Sequence, residues 1–199
     1  GCMGEIQSLR DQLKKQALIL TNRVEHVVNA LYALQELTQM HFEHRTRDEA
    51  VLNHWLEALD FMVDEVGFYR PRTHVPSPER PPPAPEEFAF GWAASLRNDL
   101  ELRSRLHALR GMGRAMKRLH DGLPGAAWMY YQDVRNGSLV LPWLDIARII
   151  PADFDRLTYF PYLSVEPGVN PHRQIRWTPL HRSWRRRTDR HRLHSDLRR

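Results

Sequence analysis

The chain has 199 residues, 42% of them hydrophobic and 27% charged, with one cysteine and a formal net charge of +5. That length holds one good-sized core, or one domain with an appendage; the composition excludes a disordered or fibrous chain, and no apolar run reaches the roughly 18 residues a bilayer span needs. Residues 181–199 contain eight of the 29 Lys and Arg but only two of the 24 Asp and Glu, so the first 180 residues are close to neutral and the basicity belongs to the tail.

The chain opens on Gly rather than Met and reads as an excerpt whose upstream segment would hold any targeting signal. Cys2 alone excludes an internal disulfide and a cysteine-rich metal site. From Glu5 to about His44 apolar residues recur at helical spacing. Ile6, Leu13, Leu20, Val27 and Leu34 form one seven-residue series, and Ala17, Val24 and Leu31 form an offset one. Leu9, Val28 and Leu37 widen the stripe. One long helix is expected over residues 1–46, serving as a spine for a smaller domain, as a dimer seam, or as both.

Residues 47–70 read as a second helix, with Asp48 and Glu49 at its N-terminus, Val51, Leu52, Trp55, Leu59, Met62 and Val63 inside, and Gly67 ending it. Residues 71–85 hold seven of the fourteen prolines and read as an extended surface loop. Helical spacing resumes from Glu86 to His120, with Leu96, Leu100, Leu106, Leu109, Met112, Met116 and Leu119 inside, and breaker residues from Asp121 to Gly125 close it.

The stretch Gly125–Pro142, GAAWMYYQDVRNGSLVLP, carries a hairpin signal. Asn136-Gly137 sits between two strand-like runs, and both residues tolerate the positive φ of a type I′ turn. Parity puts Met129, Tyr131 and Asp133 on one face and Trp128, Tyr130 and Gln132 on the other. A short helix or turn then leads from Trp143 to Ile150 into an aromatic loop, and RQIRWT, Arg173 to Thr178, reads as a further strand. Helices first and sheet afterwards predict an α+β fold.

No Walker, dinucleotide-binding, nucleophile-elbow or zincin motif is present. His41 and His44 are a helix end rather than a metal site, and Asp153 and Asp155 read as turn residues. Neither catalysis, a metal nor a cofactor is expected. More informative is the gathering of large amphipathic residues: Tyr131, Asp133, Tyr159, Tyr162, Arg173, Arg176 and Trp177 could converge on a pocket for a small polar, anionic or zwitterionic ligand. Core packing with arginine heads reaching solvent is the plainer reading.

The succession of long helix, helical segment, W-x-Y-Y-x-D, Asn-Gly, a strand ending at Pro142, an aromatic loop and NPHRQIRWTP resembles the extracytoplasmic Cache sensor domains of bacterial signal-transduction receptors, in particular the PAS-like ligand-binding module of the double Cache arrangement. The resemblance covers residues 5–180, with residues 86–180 supplying a helix and the sheet. It implies a periplasmic ligand-sensing domain of a membrane-anchored histidine kinase, cyclase or chemoreceptor, reached by a small-molecule ligand and signalling through the long helix, with membrane contact only through segments outside this chain. A homodimer through that helix is compatible with it.

Past Pro179 the resemblance stops. The family continues into a strand similar to GLIVTVSTP, whereas this chain reads LHRSWRRRTDRHRLHSDLRR. Reading codons for these residues one base later permits PYTGAGAGGLIVTVST, so residues 181–199 are expected to be out of frame and the last core strands missing. If the tail is instead genuine, a nucleic-acid-binding or coiled-coil interaction protein is the alternative; otherwise no nucleic acid is expected.

Overall fold

The computed structural model describes residues 1–84 and 87–149. It is α+β, a long N-terminal helix and further helices with a five-stranded antiparallel sheet, as the order of elements predicts. The expected strand at Arg173–Thr178, the aromatic loop and the basic tail lie outside the described residues.

Helix α1 (Cys2–Glu43) is 42 residues long, about 63 Å at 1.5 Å per residue. Every residue as far as His26 is exposed; Val27 and Val28 are half-buried, Ala30 is buried, and Leu34, Leu37 and Phe42 pack against the core. Helix α2 (Glu49–Ala58) starts where expected, because the Asp48 carboxylate accepts the backbone N–H groups of Ala50 and Val51. It buries Leu52 and Leu56, while Val51, expected inside, is exposed.

That helix does not run on to Gly67. Asp60 turns into the left-handed region at φ 47°, and strands β1 (Phe61–Val63) and β2 (Phe68–Pro71) form an antiparallel hairpin. Helical spacing over Met62 and Val63 was therefore misleading, since three residues of Phe, Met and Val satisfy an edge strand equally well. The proline segment likewise begins in order: Pro71 closes β2 and Arg72–His74 form a 3-10 turn with His74 buried.

The expected helix over residues 86–120 is three elements. Strand β3 (Ala89–Ala93) comes first, then helices α3 (Leu100–Leu109) and α4 (Gly113–Asp121), with the Asp99 carboxylate accepting the Leu102 N–H to start α3. AFGWA alternates small and large residues, a period of two rather than 3.6. Strands β4 (Met129–Gln132) and β5 (Gly137–Leu141) form the expected hairpin, and a short helix α5 (Ile146–Ile149) follows. The strands lie in the order β1-β2-β3-β5-β4, so β3 is the centre of the sheet.

Register sorts the sheet into two faces. Phe61, Tyr69, Phe90, Trp92, Leu139, Leu141, Met129 and Tyr131 face the helices and meet Leu102, Leu106, Leu109, Met112 and Met116 in one core. The other face carries Met62, Phe68, Arg70, Ala89, Gly91, Ser138, Val140, Tyr130 and Gln132. Met129 and Asp133 are buried while Trp128 and Tyr130 are half exposed, as the parity of the first hairpin strand predicts.

The two hairpins share one loop design. Asp64 and Asp133 each end the first strand, accept the N–H two residues on (Val66 at 3.1 Å, Arg135 at 2.8 Å), and lead to a left-handed residue, Gly67 (φ 85°) or Asn136 (φ 61°). Gly137 is outside the positive-φ region, so the second turn is a three-residue loop rather than type I′. Gly137 is needed for a different reason: a Cβ there would stand 2.6 Å from Leu102 Cδ1 and 3.3 Å from Leu106 Cδ1, where α3 lies on β5.

Candidate functional site

The buried loop aspartates anchor two polar clusters on opposite faces of the sheet. On the helix face, Asp133 has no exposed side-chain surface and is fully engaged. Its Oδ2 accepts the Tyr131 hydroxyl at 2.7 Å and Arg105 Nη1 at 3.2 Å, and its Oδ1 accepts the Arg135 N–H. Burial above all, and then the Asp133 charge, pushes the Tyr131 hydroxyl well above the ordinary tyrosine range, so it remains a donor at physiological pH. Tyr131 also meets Phe42, at the end of α1, edge to face at 6.0 Å.

From Arg105 the chain of charges continues to Glu101, 3.3 Å away, and from Glu101 to Arg45 and Arg47, each at 3.2 Å, just beyond α1. Burial works against the Glu101 charge, but Arg47, Arg45 and Arg105 hold its carboxyl below the usual carboxylate range. Beside it Arg135 forks onto Asp99, the cap of α3, with Nη2 at 2.7 Å from Oδ2. Sheet, α3 and the end of the spine helix are thus joined by contiguous ion pairs.

On the opposite face Arg70 is 5% exposed and lies between two carboxylates, with Nη1 2.6 Å from Asp145 Oδ1 and Nε 2.8 Å from Asp64 Oδ2. The second contact is ionic without hydrogen-bond alignment, since neither of its atoms has a directed partner. Gly91 lets this side chain lie flat on the sheet: a Cβ at Gly91 would be 3.1 Å from Arg70 Cβ. Ser138 and Gln132, bonded to each other, continue the same row of residues across β5 and β4.

A hollow of about 370 Å³ opens beside Arg70 at the β1 edge, under α5, lined in part by Met62, Asp64, Glu65, Asp145 and Arg148. Three carboxylates face two guanidinium groups there, so the hollow favours a cationic or zwitterionic guest over a plain anion. Close by, His74 is packed edge-on against Phe90 at 5.7 Å and Trp143 at 6.4 Å. Burial, and then Arg70, pushes its pKa down to about 4, which keeps the ring neutral.

Of the residues the sequence nominates, Tyr131 and Asp133 are brought into direct contact, on the helix face and already satisfied by Arg105. Tyr159, Tyr162, Arg173, Arg176 and Trp177 lie outside the described residues. Arg70, Asp64, Asp145 and Arg105 were missed. The signal for the first two was present as Asp-x-x-Gly before an aromatic strand, but it was absorbed into a helix. Among the described residues no group of three or more His, Cys, Asp or Glu side chains is placed to hold a metal, and no helix is long and apolar enough to cross a membrane. No family model, curated protein or solved structure matches the chain.

Proposed function

We propose that this chain is the ligand-sensing domain of a bacterial transmembrane receptor of the Cache type, placed outside the cytoplasmic membrane and signalling through α1. The observation that carries the reading is the division of labour between the sheet's two faces. One is tied by Asp133, Arg105, Glu101 and Arg45 to the end of the spine helix, and the other has a hollow beside buried charges. A guest that prefers one placement of the sheet against α1 shifts the population of that placement, and differential affinity is all such a switch requires.

The guest in this reading is a small zwitterion, its ammonium group near Asp64 and Asp145; Arg173, Arg176 and Trp177, which lie outside the described residues, are the sequence's candidates for its carboxylate and its body. Tyr131 and Asp133 then act as the link to the helices. The test is thermal denaturation of the full chain against a panel of amino acids, small carboxylates and amines. A zwitterion should raise Tm, and Asp145→Asn and Trp177→Ala should each abolish that shift while the protein stays folded. A panel without any stabilising compound, or a shift untouched by both substitutions, refutes the reading.

A further inference from the structure

Among the described residues β1 is one edge of the sheet, and the ladder on its inner side settles where its main-chain groups point. The Arg72 N–H donates to the Asp60 carbonyl and the Asp64 N–H to the Phe68 carbonyl, so in this register Asp60, Met62 and Asp64 are the residues bonded to β2. The N–H and C=O groups of Phe61 and Val63 therefore point away from the sheet. Natural edge strands are commonly guarded by proline, lysine or an inward charge, and Phe-Met-Val has none of these. Val63 is 41% exposed, and Val66 in the loop beyond it is 47% exposed.

The hollow of about 370 Å³ opens at this same edge, with Met62, Val63, Val66, Val75 and Pro76 as apolar walls. Its charges are Asp64, Glu65 and Asp145 against Arg70 and an exposed Arg148. Arg70 is held by Asp64 and Asp145, yet Asp64 Oδ2, in a side chain only 4% exposed, accepts no hydrogen bond. Apolar walls that end on a buried, unfilled acceptor suit an apolar stem with a cationic head, which is the build of a lysine or arginine side chain.

We propose that β1 and the hollow bind an extended segment of a partner protein, which adds to the sheet beside β1 and places a Lys or Arg in the hollow. In an added strand the residue opposite Met62 points to the same face as Met62, where the hollow lies. Its two neighbours exchange main-chain hydrogen bonds with Phe61 and Val63. Those bonds supply affinity for any extended chain, and the hollow selects the basic residue. A small guest's ammonium group draws on the same carboxylates, so the two occupants exclude one another, but the docking does not require the small guest to exist.

The test is fluorescence anisotropy of the full chain with the peptide Val-Thr-Val-Lys-Val-Thr-Val, labelled with fluorescein at its N-terminus and amidated at its C-terminus. Blocked at both ends, it is no zwitterion, so its binding and the thermal response to small zwitterions succeed or fail separately. The expected result is saturable binding, weakened roughly tenfold or more when Glu replaces Lys. Binding should be lost when the two valines beside Lys are N-methylated, which removes the donors that face Phe61 and Val63. Glu65→Lys, at an exposed position, should weaken the Lys peptide and strengthen the Glu peptide. Val63→Pro removes an outward N–H and none of the bonds to β2, so it should abolish binding in a folded protein; the N-methylated peptide makes the same test without altering the chain. Failure of the Lys peptide to bind, equal binding of the Glu peptide, or binding that survives N-methylation overturns the proposal.

Discussion

Replacing Asp133 tests whether the ion network under the sheet holds the fold together. Asp133→Asn preserves the shape and one carbonyl oxygen, but removes the charge opposite Arg105 and one of the two acceptor oxygens that serve Tyr131 and the Arg135 N–H. Hydrogen bonds to a charged group contribute about 1.5–3 kcal/mol each, and breaking a buried pair from one side costs about 3–5 kcal/mol. Arg105 is 27% exposed, so water recovers part of that loss. The expected destabilisation is about 3 kcal/mol for Asn, and more for Ala. With a urea m-value of about 2 kcal/mol/M the midpoint falls by roughly 1.5 M. Arg105→Met should cost a similar amount, and Asp133→Leu with Arg105→Met much less than the two singles together, because no charge is left stranded. An Asn variant within about 0.5 kcal/mol of wild type, or strictly additive singles, refutes the reasoning.

Stability should fall as pH drops from about 6.5 toward 4, because the folded state holds His74 at about 4 while the unfolded chain protonates it at its ordinary 6.5. The loss approaches about 3 kcal/mol below that window, and His74→Phe should flatten it in urea melts recorded across pH. Asp99 titrates lower than a free carboxylate: burial opposes its charge, and Arg135 with the start of α3 outweighs that. Its contribution is therefore present above about pH 4 and lost as pH falls through the folded value; Asp99→Ala should cost about 1–2 kcal/mol at pH 7, measured by denaturant midpoint. Gly137→Ala should destabilise by about 1–3 kcal/mol through its clash with Leu102, and a variant as stable as wild type would contradict the close approach of α3 to β5.

Much of the outline was legible because it rests on local chemistry. The uninterrupted heptad series marked α1, Asp48 marked the start of α2, and Asn136-Gly137 between two strand-like runs marked the second hairpin, even though the turn type differed. What failed did so for one reason. Phe61–Val63, Phe68–Pro71 and Ala89–Ala93 are strands of three to five residues, and over so few positions a helical and an alternating pattern contain the same apolar residues. The polar clusters were half legible: Tyr131 and Asp133, two apart on one strand, share a face by parity, but no spacing rule links Asp133 to Arg105 or Arg70 to Asp145.

By itself the sequence determined the α+β class, the long helix and the faces of the β4–β5 hairpin, because each follows from periodicity or from the φ a residue tolerates. Only the tertiary structure decided that β3 is the centre of the sheet, that Gly137 exists to admit α3, and that Arg70 lies between Asp64 and Asp145. Those facts depend on which segments meet across long stretches of chain, and strand order and helix docking set that while the local pattern stays the same.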